Sequence, residues 1–223
     1  EQLFNIYNDK DRDGILDEGE EAFTLDGSTD IQYGNIYGIY HGKGSSPISI
    51  TIDGAELPAV YGAFESTVET PENMTAVTIS VKGDAAVESL YGLFRTYCTG
   101  GVLIDTEESV TIKSLYGLRS STMDGDITEN INYNCDGNTF VTLATDGYYT
   151  GKAYTINGDA VFNMNGAGIS SVYIVQNGAV LSKTLTAKVT DSKVDNLCGV
   201  SQSAKVDGDV SLTFDGISAV KDG

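Results

Sequence analysis

Residues 205–221 read KVDGDVSLTFDGISAVK. An apolar residue, Val206, precedes a Gly-Asp turn. Val210, Leu212 and Phe214 then alternate with Ser211 and Thr213, the period-two pattern of a half-buried strand. An Asp-Gly corner and a short apolar step close the unit. The stretch VLSKTLTAKVTDSKVDNLCG (180–199) follows the same plan, and TINGDAVFNMNGAGISSVYI (155–174) follows it again. Ile156, Leu181 and Val206 stand 25 residues apart, as do Val172 and Leu197.

Earlier copies are ISITIDGAELPAVYGAF (48–64), VTISVKGDAAVESLYGLF (77–94), SVTIKSLYGLR (109–119) and MDGDITENINYNCDGNTF (123–140). Aligning the apolar step gives Ile36, Val60, Leu90, Leu115, Val172 and Leu197, with a blurred copy near Val141. The spacings are 24, 30, 25, 57 and 25. One such unit cannot bury its apolar face alone, whereas stacked copies share a continuous core. The expected fold is therefore all-β: a parallel β-helix, or β-solenoid, of about seven coils over residues 46–223, with little helix. At a strand spacing of about 4.8 Å the rod is roughly 35 Å long. A β-sandwich also has many short strands, but it does not require corner and step residues to recur at a fixed period.

Residues 7–23, YNDKDRDGILDEGEEAF, carry a different pattern. Counting from Asp9, carboxylates fall at loop positions 1, 3, 5, 9 and 12: Asp9, Asp11, Asp13, Asp17 and Glu20. Gly14 stands at position 6, where the chain turns sharply, and Ile15 at position 7 offers its backbone carbonyl. These are the demands of a twelve-residue calcium loop, in which hard oxygen ligands gather round Ca2+. The bland alternative is a solvated acidic turn. The loop resembles the DxDxDG repeats of dockerins and thrombospondin type 3 repeats, a likeness confined to the first two dozen residues. A single loop does not make a paired calcium sensor, and the expectation is a structural clamp. Residues 1–45 are assigned to this loop and an N-terminal cap.

The chain has 223 residues, with 13 Lys and Arg against 32 Asp and Glu, for a net charge of −19. Such a surface opposes nucleic acids and anionic membranes, whose phosphates need basic partners. No apolar run approaches the length of a membrane span. The chain shows neither a signal peptide nor an initiator Met, so a processed or excised piece of a larger protein is expected. Cys98, Cys135 and Cys198 lack metal-type spacing. They are read as buried free thiols or as one disulfide and one free thiol, and they do not fix the compartment. A calcium loop favours the outside of a cell, where calcium is abundant.

VDGDVSLTFDGISAV together with VYGAF, SLYGLF and SLYGLR resembles the right-handed parallel β-helix repeats of bacterial cell-surface, adhesin-like proteins. The likeness covers roughly residues 46–223. It departs from those repeats in having single glycines after Tyr and Cys198 in place of one Tyr. The resemblance implies an extracellular, cell-surface or secreted location and a structural or adhesive role. The implied partners are neighbouring domains of a larger surface protein and a host glycan or protein ligand. A solenoid also needs its open ends covered, since edge strands otherwise pair with other chains. The repeat runs up to the C-terminus, so further chain or a partner is expected there.

Tyr37, Tyr61, Tyr91, Tyr116 and Tyr173 occupy one slot of the repeat. With the step residues pointing inward, alternation turns these tyrosines outward. Stacked coils then align them as a ladder, open to sugar rings or closed on itself. Arg95 and Arg119 follow the Tyr-Gly steps of consecutive copies and complete a candidate ligand face. β-Helix lyases of acidic polysaccharides use an Arg or Lys base beside carboxylate-bound calcium, and Asp124, Asp126, Asp136 and Asp146 are the corner carboxylates for that reading. A glycosidase needs two carboxylates at a set separation, and no pair stands out among so many. His41 has no nucleophile motif beside it and reads as a surface loop residue. The expectation is a non-catalytic module; the alternative is a carbohydrate-active β-helix enzyme, of polysaccharide lyase or glycosidase type, or a sugar-binding module.

Overall fold

The computed structural model describes residues 34–219, apart from 72, 136, 147–153 and 202, and the backbone of 15–16 and 23–26. No helix occurs among the described residues. Three parallel sheets run side by side. One holds eight two-residue strands, from Ile15–Leu16 to Lys205–Val206. The second holds eight strands, from Phe23–Asp26 to Val210–Asp215, and the third seven, from Asn35–Tyr40 to Lys193–Val200. The chain visits the three sheets in turn and pairs each strand with its equivalent one coil away. That connectivity is a β-solenoid. A sandwich would not make every ladder parallel to a copy one repeat distant.

The step column is in register through the whole third sheet: Ile36, Val60, Leu90, Leu115, Val141, Val172 and Leu197 pair in sequence. Val141 divides the 57-residue gap, so the blurred copy is an ordinary coil. All but Leu197 are wholly shielded from solvent. The second sheet adds alternating inward residues such as Ile50, Ile79, Ile104, Phe162 and Ala187, aligned by the ladder. Six of the two-residue strands contribute one inward side chain each. That column runs Val68, Cys98, Met123, Ile156, Leu181 and Val206. Cys98 is thus a core rung like its neighbours, and burial pushes its thiol up to about 11. All three cysteines are free thiols; Cys98 and Cys135 are buried and Cys198 half-buried.

The Tyr-Gly step changes the phase of the third sheet. In Glu56–Phe64, Val60 points in and Tyr61 out, but then Gly62 and Ala63 both face the core. A Cβ on Gly62 would strike the Gly92 carbonyl and the Val77 side chain. Cross-coil pairing accordingly passes from Tyr61–Tyr91 to Ala63–Leu93. The slip returns Phe64 to the outer face. Strict alternation would have placed Tyr61 and Phe64, three residues apart, on opposite faces.

The chain then turns through a residue with positive φ, filled by His41, Glu65, Arg95, Ser120 and Asn177. After Glu65, Arg95 and Ser120 a hydroxyl closes the corner. Ser66 and Thr96 each donate to the carbonyl two residues back, at 2.7 and 3.0 Å, and accept the backbone N–H of a neighbouring coil. Ser121 repeats the device.

Candidate functional site

The outer face of the third sheet carries the tyrosines singled out by the repeat. Tyr37, Tyr61, Tyr91 and Tyr116 pair in register. Their rings stack nearly parallel, with centroids 4.9, 4.6 and 4.9 Å apart. The separation matches the coil spacing, so backbone pairing alone brings the rings to stacking distance. The next slot holds Thr142. Phe140, two residues earlier on the same face, fills the gap at 5.3 Å from Tyr116 and 6.0 Å from Tyr173. Tyr173 pairs with Cys198, where the aromatic column stops.

A second column runs beside the first. Tyr40, Phe64 and Phe94 stack at 5.3 and 5.0 Å. They meet the tyrosines edge-on: Phe64 lies 5.0 Å from Tyr61 at 88°, and Phe94 lies 5.4 Å from Tyr91 at 80°. The two columns form a herringbone in which ring edges contact ring faces, the arrangement favoured by the aromatic quadrupole. Tyr37 and Tyr91 are only 4% and 8% exposed, although neither belongs to the internal core. Burial is the main cause that pushes the Tyr61 hydroxyl up to about 12, reinforced by Tyr91 and Tyr37.

The two arginines are not equivalent. Arg119 pairs with Phe94 and occupies the phenylalanine column. Its guanidinium lies 5.5 Å from the Phe94 ring and 5.0 Å from the Tyr116 ring, and it donates to Tyr91 Oη at 3.3 Å. Arg95 stands one column further, at the positive-φ corner. It lies over Phe94 and bonds Glu65 Oε1 at 2.9 Å; His41 Nε2 approaches the other oxygen of Glu65 at 3.4 Å. A shallow groove beside this corner is lined by Lys43, Glu65, Arg95 and Tyr97.

A larger cleft lies where the two-residue strands turn into the second sheet, lined in part by Glu69, Met74, Asp124, Asp126, Asp159 and Lys183. Its carboxylates serve the coils. Asp126 Oδ1 accepts the Asp159 N–H at 2.8 Å, and Asp159 Oδ1 accepts the Thr184 N–H at 3.1 Å. Asp124 takes hydrogen bonds from Asn157 at 2.5 Å and Tyr97 at 2.6 Å, which hold its carboxyl below the usual range. The recurrent Gly-Asp now has a physical reading. Gly125 and Gly158 lie against the backbone of the coil before, where a Cβ would collide. The Asp after each ties down the coil that follows. Asp146, another expected corner carboxylate, is buried, and Asp136 lies outside the described residues.

Of the expected calcium ligands, Asp9, Asp11, Asp13, Asp17 and Glu20 lie outside the described residues. The backbone of Ile15 pairs with Lys43 in the first sheet. Three features escaped the sequence reading. The phenylalanine column follows from the glycine slip, and Phe140 sits two residues off the repeat slot. The third is Glu129, whose inward position was readable in ITENI, where it alternates with Ile127 and Ile131. No family model, no curated protein and no solved structure matches this chain.

Proposed function

We propose that this chain is a non-catalytic β-solenoid module of a bacterial surface protein, structural or adhesive in role and extracellular, with one calcium site near its N-terminus. One observation carries the reading: the ring faces of the outer tyrosines are spent on one another. A sugar platform needs a free aromatic face. In the described part of the ladder, the faces of Tyr61, Tyr91 and Tyr116 meet neighbouring rings. The corner carboxylates, which an enzyme would need for acid–base work, accept hydrogen bonds from adjacent coils. The carboxylates at that corner thus join coil to coil.

Calcium enters through the spacing of Asp9, Asp11, Asp13, Asp17 and Glu20, with the Ile15 carbonyl. This donor set suits a hard divalent cation at the entrance of the stack. The partners proposed are neighbouring domains of a larger surface protein and, for an adhesive role, a host glycan or protein.

The test is a pair of measurements on Tyr61→Ala and Tyr91→Ala: the urea midpoint, and binding or cleavage of a panel of neutral and acidic polysaccharides. The proposal expects lowered midpoints and no polysaccharide turnover by the parent chain. Turnover by the parent chain that the variants lose, at unchanged stability, would overturn it in favour of an enzyme.

A further inference from the structure

Most side chains that point into the described part of the solenoid are apolar, and Glu129 is an exception. Glu129 lies in the second sheet between Ile104 and Phe162, and it is 0% exposed. Neither carboxyl oxygen has a hydrogen-bond partner. The carboxyl reaches across the core to the Tyr-Gly step of the third sheet, where a Cβ on Gly117 would collide with its Oε1. Gly117 therefore leaves the space that the carboxyl occupies. Tyr133, four residues on, is also wholly buried with an unpartnered hydroxyl.

The equivalent rungs of the neighbouring coils are Ile50, Ile79, Ile104, Phe162 and Ala187. A carboxyl in such a column loses its hydration and gains nothing in return. Around it, the Gly101–Thr106, Ala160–Asn165, Thr111–Arg119 and Phe140–Thr145 strands present Ile104, Phe162, Gly117 and Leu143. Among the described residues, Tyr133 is coupled to Glu129 and to Cys135, both of which are neutral when protonated, and Asp146 is a second buried carboxyl of the same coil. No cation among them offers an ion pair.

We propose that Glu129 makes this coil a pH-sensitive joint: the solenoid is tight while the carboxyl holds its proton and loosens at this coil when the proton is lost. Burial favours the proton-bearing form, holding the group well above the ordinary carboxylate range. Because the folded chain keeps a proton that the unfolded chain releases, this group's contribution to stability is greatest in acid. It falls as pH rises from the ordinary carboxyl range toward the folded value. Within that window the unfolding constant grows about tenfold per pH unit from this group alone. The proposal is independent of what the outer face binds.

The experiment compares the full chain with Glu129→Gln by urea unfolding from pH 5 to 8, with hydrogen exchange read at each pH. The parent is expected to lose stability with the slope of one released proton, and Glu129→Gln to lack that slope. The amides of Ile127–Ile131 in the parent should lose protection ahead of those of Thr75–Lys82 between pH 6 and 8, but not in the variant. Glu129→Leu, which removes both charge and polarity, should flatten the profile equally and serves if the Gln variant folds poorly. Parallel pH profiles for parent and variants, or uniform loss of protection along the chain, would overturn the proposal.

Discussion

Tyr61 and Tyr91 lie thirty residues apart in sequence, yet their rings stack with centroids 4.6 Å apart and planes 2° from parallel. Nothing local brings them together. They meet because Val60 pairs with Leu90 beneath them and the coil rise equals a stacking distance. The ladder is thus a direct readout of the repeat register.

Tyr91 is the rung held from most sides: Tyr61 and Tyr116 stack on it, Phe94 meets it edge-on, and Arg119 donates to its hydroxyl. Tyr91→Ala should cost about 3–4 kcal/mol, the usual range for deleting a packed aromatic ring. Tyr91→Phe keeps the stack and should cost less than about 1 kcal/mol. Tyr173→Ala, at the looser end of the column, should cost about 1 kcal/mol. Urea midpoints read all three, and equal losses for Tyr91→Ala and Tyr173→Ala would contradict the ranking.

Gly92 and Gly178 are constrained for different reasons. A Cβ at Gly92 would strike the Gly117 carbonyl and crowd Val102 inside the core, whereas at Gly178 it would meet nothing, although φ is +77°. Gly92→Ala should cost about 3 kcal/mol through overpacking. Gly178→Ala should cost only about 1 kcal/mol of backbone strain. Thermal melting of the two variants gives the comparison, and a Gly178 variant as damaged as the Gly92 variant would remove the core-facing role assigned to the Tyr-Gly step.

Asp124 gives the fold an acid limit. Hydrogen bonds from Asn157 and Tyr97 lower its carboxyl. The stability it contributes is complete above the ordinary carboxyl range and is lost as pH falls through the lowered folded value. This dependence runs opposite in sign to that of Glu129. The melting temperature should fall between pH 5 and 2.5 in the parent, and fall less in Asp124→Asn. Superimposable acid profiles would show that the two hydrogen bonds do not bear on folding.

Much of this architecture was legible in the chain because a solenoid writes its geometry as a period. The inner step could be aligned from Ile36 to Leu197 since every coil needs an apolar residue there, and the third sheet pairs those residues in order. The outer face was harder. Thr142 stands where the period calls for tyrosine, and only the packed structure reveals Phe140 leaning into the vacancy. Tyr40, Phe64, Phe94 and Arg119 form a column because glycine removes a Cβ and lets alternation slip, which a strict two-residue rule does not anticipate. Arg95 and Arg119 looked alike in sequence for the same reason, yet one belongs to the corner and the other to the ladder.

Asp9→Ala or Glu20→Ala should lower the melting temperature only when calcium is present, because the parent alone gains the binding free energy. Without calcium, parent and variants should melt alike. Equal melting of parent and variant in millimolar calcium would remove the site.

The most direct test of the central account is a double-mutant cycle on Tyr61 and Tyr91, with Tyr61→Ala, Tyr91→Ala and the double variant compared by urea unfolding. If the outer tyrosines are a structural ladder, the two losses should be non-additive, with a coupling of about 1 kcal/mol between the stacked rings. Strictly additive small losses, leaving the coils as stable as before, would contradict the account and return these rings to the role of an exposed ligand face.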